Sequence, residues 1–161
     1  MAANKDVTIM DKVEEIEALL PHRRPMVMLS EVFPESSPGI VEARIDVSEK
    51  CVFFDPSIGG VPSCAVLEYM AQAMAIAVGR ERRRNGKDPA VGFVLGTRMM
   101  DVFVDMFRPG TDYVARAECT YEDGEFASFD CSISDSSGAI VAKAVLTAFQ
   151  PGDEKALEEM P

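Results

Sequence analysis

One carboxylate and one imidazole stand out for the chemistry that they could do. Glu68 is the only charged residue in the apolar stretch GGVPSCAVLEYMAQAMAIAVG, residues 59–79. An ionised carboxylate without a partner is costly in an apolar site, so we expect Glu68 to be hydrogen-bonded, paired or protonated. Gln72, one helical turn further on, would share its face. Glu68 is therefore a candidate acid–base residue, and a half-exposed side chain satisfied by Gln72 or an arginine is the alternative.

The imidazole is His22, the only histidine of the chain, in the segment LLPHRRPM. Imidazole exchanges protons near neutral pH without a perturbed pKa, so His22 is a candidate for proton transfer. A single histidine is more often structural, bonded to a loop carbonyl to fix a turn. Both interpretations remain open from the residues alone.

The cysteines are weaker candidates for catalysis or metal binding. Cys64 precedes Glu68 by one turn, near an expected helix start where thiolates are favoured, but a small core residue is the commoner role. The four cysteines show no CxxC spacing, and one histidine is a poor supply for a Cys/His metal site. We expect reduced thiols, no metal and no diffusible cofactor.

Length and charge narrow the class of protein. The chain has 161 residues with 47% hydrophobic content, which predicts one domain over residues 1–161. Its 16 basic and 27 acidic residues give a net charge of −11, which makes nucleic acid an improbable partner. No uncharged apolar run reaches the roughly 18 residues that span a bilayer, and no signal core follows the first Met. We therefore expect a cytoplasmic protein that does not bind membranes.

The pattern of elements predicts an α+β fold. A short amphipathic helix is predicted at about residues 9–20 and a long apolar helix from Pro62 to about Gly79. Extended segments are predicted at 26–33, 40–47, 90–104, 113–121, 126–134 and 139–149, and an acidic tail at about 152–161. One curved sheet covers only one side of the apolar helix, so loops or a second copy must cover the rest.

Three longer segments carry a resemblance to a known family. IEALLPHRRPMVML, LEYMAQAMA and GFVLGTRMMDVFVDMFRPGTDY resemble the hotdog-fold 3-hydroxyacyl-[acyl-carrier-protein] dehydratases over most of residues 14–150. The form GGVP…LEYMAQA is most similar to the divergent ApeP-like branch, associated with aryl polyene and fatty-acid-like pathways. The resemblance implies a single hotdog domain, a sheet wrapped around the long helix, and an apolar tunnel. It also implies a homodimer, or a heterodimer with a related dehydratase, with active sites at the dimer boundary.

The implied reaction is dehydration of a 3-hydroxyacyl thioester, on acyl carrier protein or CoA, to the trans-2-enoyl thioester. One departure matters: dehydratases of this kind carry a catalytic histidine in a Gly-His-Phe-Pro-Gly loop, and the matching segment FFDPSIGGVPS has none. Glu68 matches the helix carboxylate of the family and is predicted as the acid, with His22 as a substitute base. The backbone N–H groups of Gly60 and Val61 are predicted to polarise the thioester carbonyl.

Two further sets of residues are assigned on this basis. Cys64, Met70 and Gln72 are predicted to line the substrate tunnel. A basic cluster is predicted to dock the acidic carrier protein, although cations that complement the helix dipole are the alternative. Its members are Arg80, Arg82, Arg83, Arg84 and Lys87.

Two other functions compete with dehydration. A hotdog thioesterase would use Glu68 to activate water, with His22 only structural. A noncatalytic subunit would bind acyl chains or stabilise an active partner, which would explain the missing loop histidine. Release of free thiol would identify the thioesterase, and formation of an enoyl product would identify the dehydratase.

Overall fold

The structure is a computed structural model and describes residues 12–152. The first helix, α1, is helical over residues 12–17, and the second, α2, spans Val66–Arg84. The strands are β1 Leu29–Val32, β2 Ile40–Ile45, β3 Val61–Pro62, β4 Phe93–Val102, β5 Met106–Phe107, β6 Val114–Asp123, β7 Phe126–Ser134 and β8 Ile140–Phe149.

Six of the strands form one antiparallel sheet in the order β1-β2-β6-β7-β8-β4, and β3 pairs with β5 in a separate two-stranded ladder. The curved sheet packs around α2, which contacts β2, β6 and β7. Strands β2, β6 and β7 alternate between buried and less buried residues, because successive side chains point to opposite faces. The predicted α+β hotdog fold is confirmed.

The bounds of α2 differ from the prediction at both ends. Pro62 belongs to β3 rather than to the first helical turn, and the Ser63 N–H donates to Asp105 O at 3.1 Å. At the other end the helix continues to Arg84, because arginine favours helices and complements the dipole there. Gly86, with φ 68°, follows the helix in a left-handed conformation.

The turn that follows α1 packs directly on the backbone of α2. A Cβ added to Gly79 would lie 2.0 Å from Leu19 O, so this contact requires glycine. The backbone is helical only to residue 17 and turns at 18–19, two or three residues before the predicted end. From there the segment 20–28 runs along α2, with backbone atoms of Met26 and Met28 bonded to Gln72.

Gly79→Ala is expected to lower the free energy of unfolding by about 1–3 kcal/mol, because the methyl group must push two backbones apart in a packed region. Alanine favours a helix over glycine by about 1 kcal/mol, and this gain offsets only part of the cost of the steric clash. Urea unfolding measures the change. Gly96→Ala is the matched control, since a Cβ at Gly96 in β4 meets nothing within 4 Å. Equal stability of the two variants would contradict the close contact.

The predicted acidic tail lies almost wholly outside the described residues, as does the start of the predicted first helix. Among residues 12–152, no helix is long and apolar enough to cross a bilayer.

Candidate active site

A buried glutamine connects α2 to the segment that follows α1. Apart from tyrosines and cysteines, Gln72 is the only polar side chain that is buried among the described residues. Its Nε2 donates to Met26 O and to Glu68 Oε1, each at 2.7 Å, and its Oε1 accepts from Met28 N at 2.9 Å. The whole amide is therefore used. These bonds fix the path of residues 26–28 along α2 and the position of the Glu68 side chain.

His22 and Glu68 meet within one chain. The distance from His22 Nε2 to Glu68 Oε1 is 3.4 Å, and each side chain is 30% exposed. The hydrogen bond from His22 lowers the pKa of Glu68; burial opposes this shift, and the bond from Gln72 adds to it. Glu68 also lies in the first turn of α2, where the helix dipole favours an anion. At neutral pH Glu68 is therefore a carboxylate.

The two oxygens of Glu68 have different surroundings. Oε1 accepts from both His22 and Gln72, whereas Oε2 receives no hydrogen bond from residues 12–152. An ionised carboxylate with one uncommitted oxygen is a proton acceptor, so its lowered pKa opposes the predicted role as acid. His22 Nδ1 is buried and has no hydrogen-bond partner in the described part of the chain, which leaves Nε2 as the nitrogen available to a reactant.

The pair borders an apolar cavity of about 360 Å³ between α2 and the sheet. That volume is within the usual range for small-molecule sites. One wall is a row on α2, and the opposite wall comes mainly from β4, β7 and β8. The helix contributes Leu67, Ala71, Met74, Ala75 and Val78, and the sheet contributes Phe93, Val94, Phe129, Ala148 and Phe149.

The residues predicted to line the tunnel are not those that border this cavity. Cys64 is exposed and Met70 is buried in the core. Gln72 is buried too, and its amide is used in hydrogen bonds to Met26, Met28 and Glu68. None of the three borders the cavity. Met70 is two residues from Glu68, hence turned by roughly 200° about the helix axis, away from the cavity. The row that lines it follows Glu68 at helical spacing instead.

The predicted oxyanion donors are also elsewhere. Gly60 N–H donates to Asp55 O at 3.4 Å, and Val61 pairs with Phe107 in the small ladder. Neither residue borders the cavity. A Cβ at Gly60 would lie 2.5 Å from Phe107 O, so the packing against β5 requires glycine at this position.

Comparison with known proteins gives the family. A family model described as ApeP-like, ApeP dehydratase, matches residues 14–159. The chain belongs to this family. The structure is also similar to the dehydratase heterocomplex ApeI:P from Xenorhabdus doucetiae, with a TM-score of 0.80 and 26% identity over 89% of this chain and 95% of that one. The predicted resemblance is thereby confirmed.

Other relatives agree with this assignment. This ApeP-like chain is 35% identical over 99 residues to the FabZ 3-hydroxyacyl-[acyl-carrier-protein] dehydratase of Oenococcus oeni, covering 60% of the chain and 68% of the relative. It is 26% identical over 146 residues to FabZ of Bacillus cytotoxicus, covering 89% and 97%. The PaaI protein of Escherichia coli, with a TM-score of 0.61 over 92% and 99% of the chains and 12% identity, shows the shared fold alone.

In this ApeP-like dehydratase the basic cluster divides into two groups. Arg80 Nη2 donates to Phe33 O at 2.8 Å, Arg82 Nε donates to Asp88 O at 2.6 Å, and Arg84 is paired with two glutamates, Glu35 and Glu81. These three stabilise the end of α2. The other two cations, Arg83 and Lys87, are exposed and border a surface groove together with Arg23 and Pro21.

Proposed function

We propose that the chain dehydrates a 3-hydroxyacyl thioester, carried on acyl carrier protein, to the trans-2-enoyl thioester in a fatty-acid-like or polyene pathway. The observation that carries the proposal is the contact between Glu68 and His22 at the wall of an apolar cavity, in a member of a dehydratase family. The carrier is inferred from the FabZ relatives, whose names specify an acyl-carrier-protein substrate.

The proposed reaction uses the ionised Glu68 as the base and the His22 imidazole as the proton donor. Oε2 of Glu68 accepts the α-proton, and the C–H electron pair forms the double bond between C2 and C3. The C3–O bond breaks, and the hydroxyl leaves as water with the proton from His22 Nε2. After the product leaves, Oε2 of Glu68 releases its proton to solvent and His22 takes one up, because each side chain is 30% exposed, which restores the pair.

The proposed enzyme works as a dimer, with itself or with a related dehydratase subunit. β4 is an edge strand of the sheet, with one side unpaired, and it exposes apolar side chains. They include Phe93, Val94, Leu95, Met99 and Val102. Exposed apolar residues on an open edge favour pairing with another strand. Phe93 and Val94 also border the cavity, so this contact would place the site at the boundary between subunits. The ApeI:P heterocomplex is a precedent for pairing with a second dehydratase.

The carrier protein is proposed to dock beside the site. Arg83 and Lys87 border a groove that also includes Pro21, and Pro21 borders the active-site cavity as well. An acidic carrier bound to these cations would therefore deliver its thioester next to His22. The groove has three cations, Arg23, Arg83 and Lys87, against two carboxylates, Glu17 and Asp88, and on a chain of net charge −11 this local excess gives such a partner a place to bind.

The test is a product assay on the full chain, alone and mixed with a related dehydratase subunit. We expect loss of water from 3-hydroxyacyl-carrier protein and no release of free thiol. His22→Asn should lower kcat/KM for dehydration at least about 10²-fold, because the amide cannot donate a proton to the leaving hydroxyl. Thiol release without an enoyl product would support the thioesterase instead. Full activity of His22→Asn would show that the imidazole is only structural.

A further inference from the structure

A second cavity continues from the first along α2. It has a volume of about 460 Å³ and lies beside the C-terminal half of the helix, where Ala77, Glu81 and Asn85 contribute to its wall. The active-site cavity is bordered by the helix from Leu67 to Gly79, so the two cavities succeed each other along one groove between helix and sheet. The groove therefore extends beyond the end of the active-site cavity.

Four residues border both cavities and form what we call the septum. They are Val78 on α2, Phe129 on β7, Ala148 on β8, and Gln150 just after β8. Phe129 is the largest of them and is 2% exposed. Val78 and Ala148 are small, and Gln150 is smaller and less buried than Phe129, so the aromatic ring of Phe129 is the main obstacle between the two cavities. Along the helix, Val78 lies about 15 Å from Glu68.

We propose that Phe129 determines the acyl chain length that the site accepts. This inference rests on the proposed function, since it takes the first cavity as the place of the acyl tail. A tail that ends before the septum fits the first cavity. A longer tail must displace the buried ring of Phe129, which costs free energy because the surrounding core is close-packed.

The second cavity gives a longer tail somewhere to go once Phe129 is made smaller. Near the septum it is bordered by the apolar residues Ala77, Phe126 and Ala127. Further on it includes the exposed residues Glu122 and Glu125, on β6 and in the turn before β7. An acyl tail that passes the septum would therefore contact apolar side chains first and reach solvent at its end.

Binding of a graded series of saturated acyl-pantetheine thioesters to the full chain, measured by calorimetry, tests this without requiring turnover. For the unaltered protein, Kd should rise steeply once the tail exceeds the first cavity. In Phe129→Leu the rise should move to longer tails, with affinity for a tail just beyond the limit improved about tenfold or more. Affinity for short tails should change much less than affinity for tails just beyond the limit. Val78→Ala should shift the profile in the same direction from the helix side.

Phe107→Leu is the matched control, because Phe107 is fully buried and borders neither cavity. Thermal unfolding shows which variants are folded, and Val78→Ala remains informative if Phe129→Leu unfolds. An unchanged length profile in folded Phe129→Leu or Val78→Ala would overturn the inference, as would failure of every acyl-pantetheine to bind. A shifted binding profile in a protein that dehydrates nothing would support the inference and contradict the proposed function.

Discussion

Glu68→Gln is expected to lower kcat/KM for dehydration by about 10²–10⁴-fold, the range for loss of a positioned acid–base group. Glutamine keeps the shape of the side chain but cannot take the α-proton on Oε2. The Gln72 and His22 contacts both fall on Oε1, so an amide oxygen at that position still accepts both bonds. The fold should therefore survive, and the loss should appear in kcat rather than in thermal stability.

Glu42→Gln is the control for this prediction. Glu42 is a half-buried carboxylate on β2 that borders none of the three cavities described above. Its amide variant should dehydrate at the unaltered rate. If Glu68→Gln and Glu42→Gln were equally active, Glu68 would be a structural carboxylate, and the proposed proton transfer would fail.

Gln72→Leu is expected to lower the free energy of unfolding by about 2–5 kcal/mol, since each buried polar group left without a partner costs about 1–3 kcal/mol. Met28 N–H and Met26 C=O both lose their partner when the amide is removed. Glu68 loses its donor from the same amide. Activity should fall as well, because the carboxylate and residues 26–28 are positioned by one side chain. Urea unfolding and the dehydration assay measure the two effects.

Ile76→Leu provides the comparison, because Ile76 is fully buried on the same helix and has no polar atoms in its side chain. A change of similar volume in the core should cost less than about 1.5 kcal/mol. Equal losses of unfolding free energy in the two variants would mean that Gln72 stabilises the protein by packing and not by its hydrogen bonds.

The long elements were predictable because they depend on local pattern. β7 has the predicted bounds, and β6 and β8 differ from theirs by one or two residues at their ends, since alternating strands between turn sequences carry a strong signal. The ladder of β3 and β5 was missed. Each strand has two residues, too few for any periodicity, and their pairing joins Val61 to Phe107 across a long sequence separation.

The site was predicted in part for a similar reason. Glu68 was recognisable as an isolated charge in an apolar helix, and His22 as the only imidazole, and the structure brings the two together. The row of small residues Ala71, Ala75 and Gly79 on α2 also indicated a close approach of sheet or substrate, with simple tight packing as the alternative, and this row lies on the cavity wall. The alanines Ala71 and Ala75 lie on that wall, one and two turns after Leu67, where small side chains leave space. The uncommitted oxygen of Glu68 depends on three-dimensional hydrogen bonds that no spacing encodes.

The position of Phe93 and Val94 on the unpaired edge of β4 has a consequence for how such a protein could evolve. Two residues of the proposed active-site cavity belong to the strand through which a partner subunit is proposed to bind. Replacing that partner subunit with another would change the shape of the cavity near Phe93 and Val94 without any change in the sequence of this chain. Substrate preference would then be inherited from a pair of genes rather than from one, and new specificities could arise by recombining subunits.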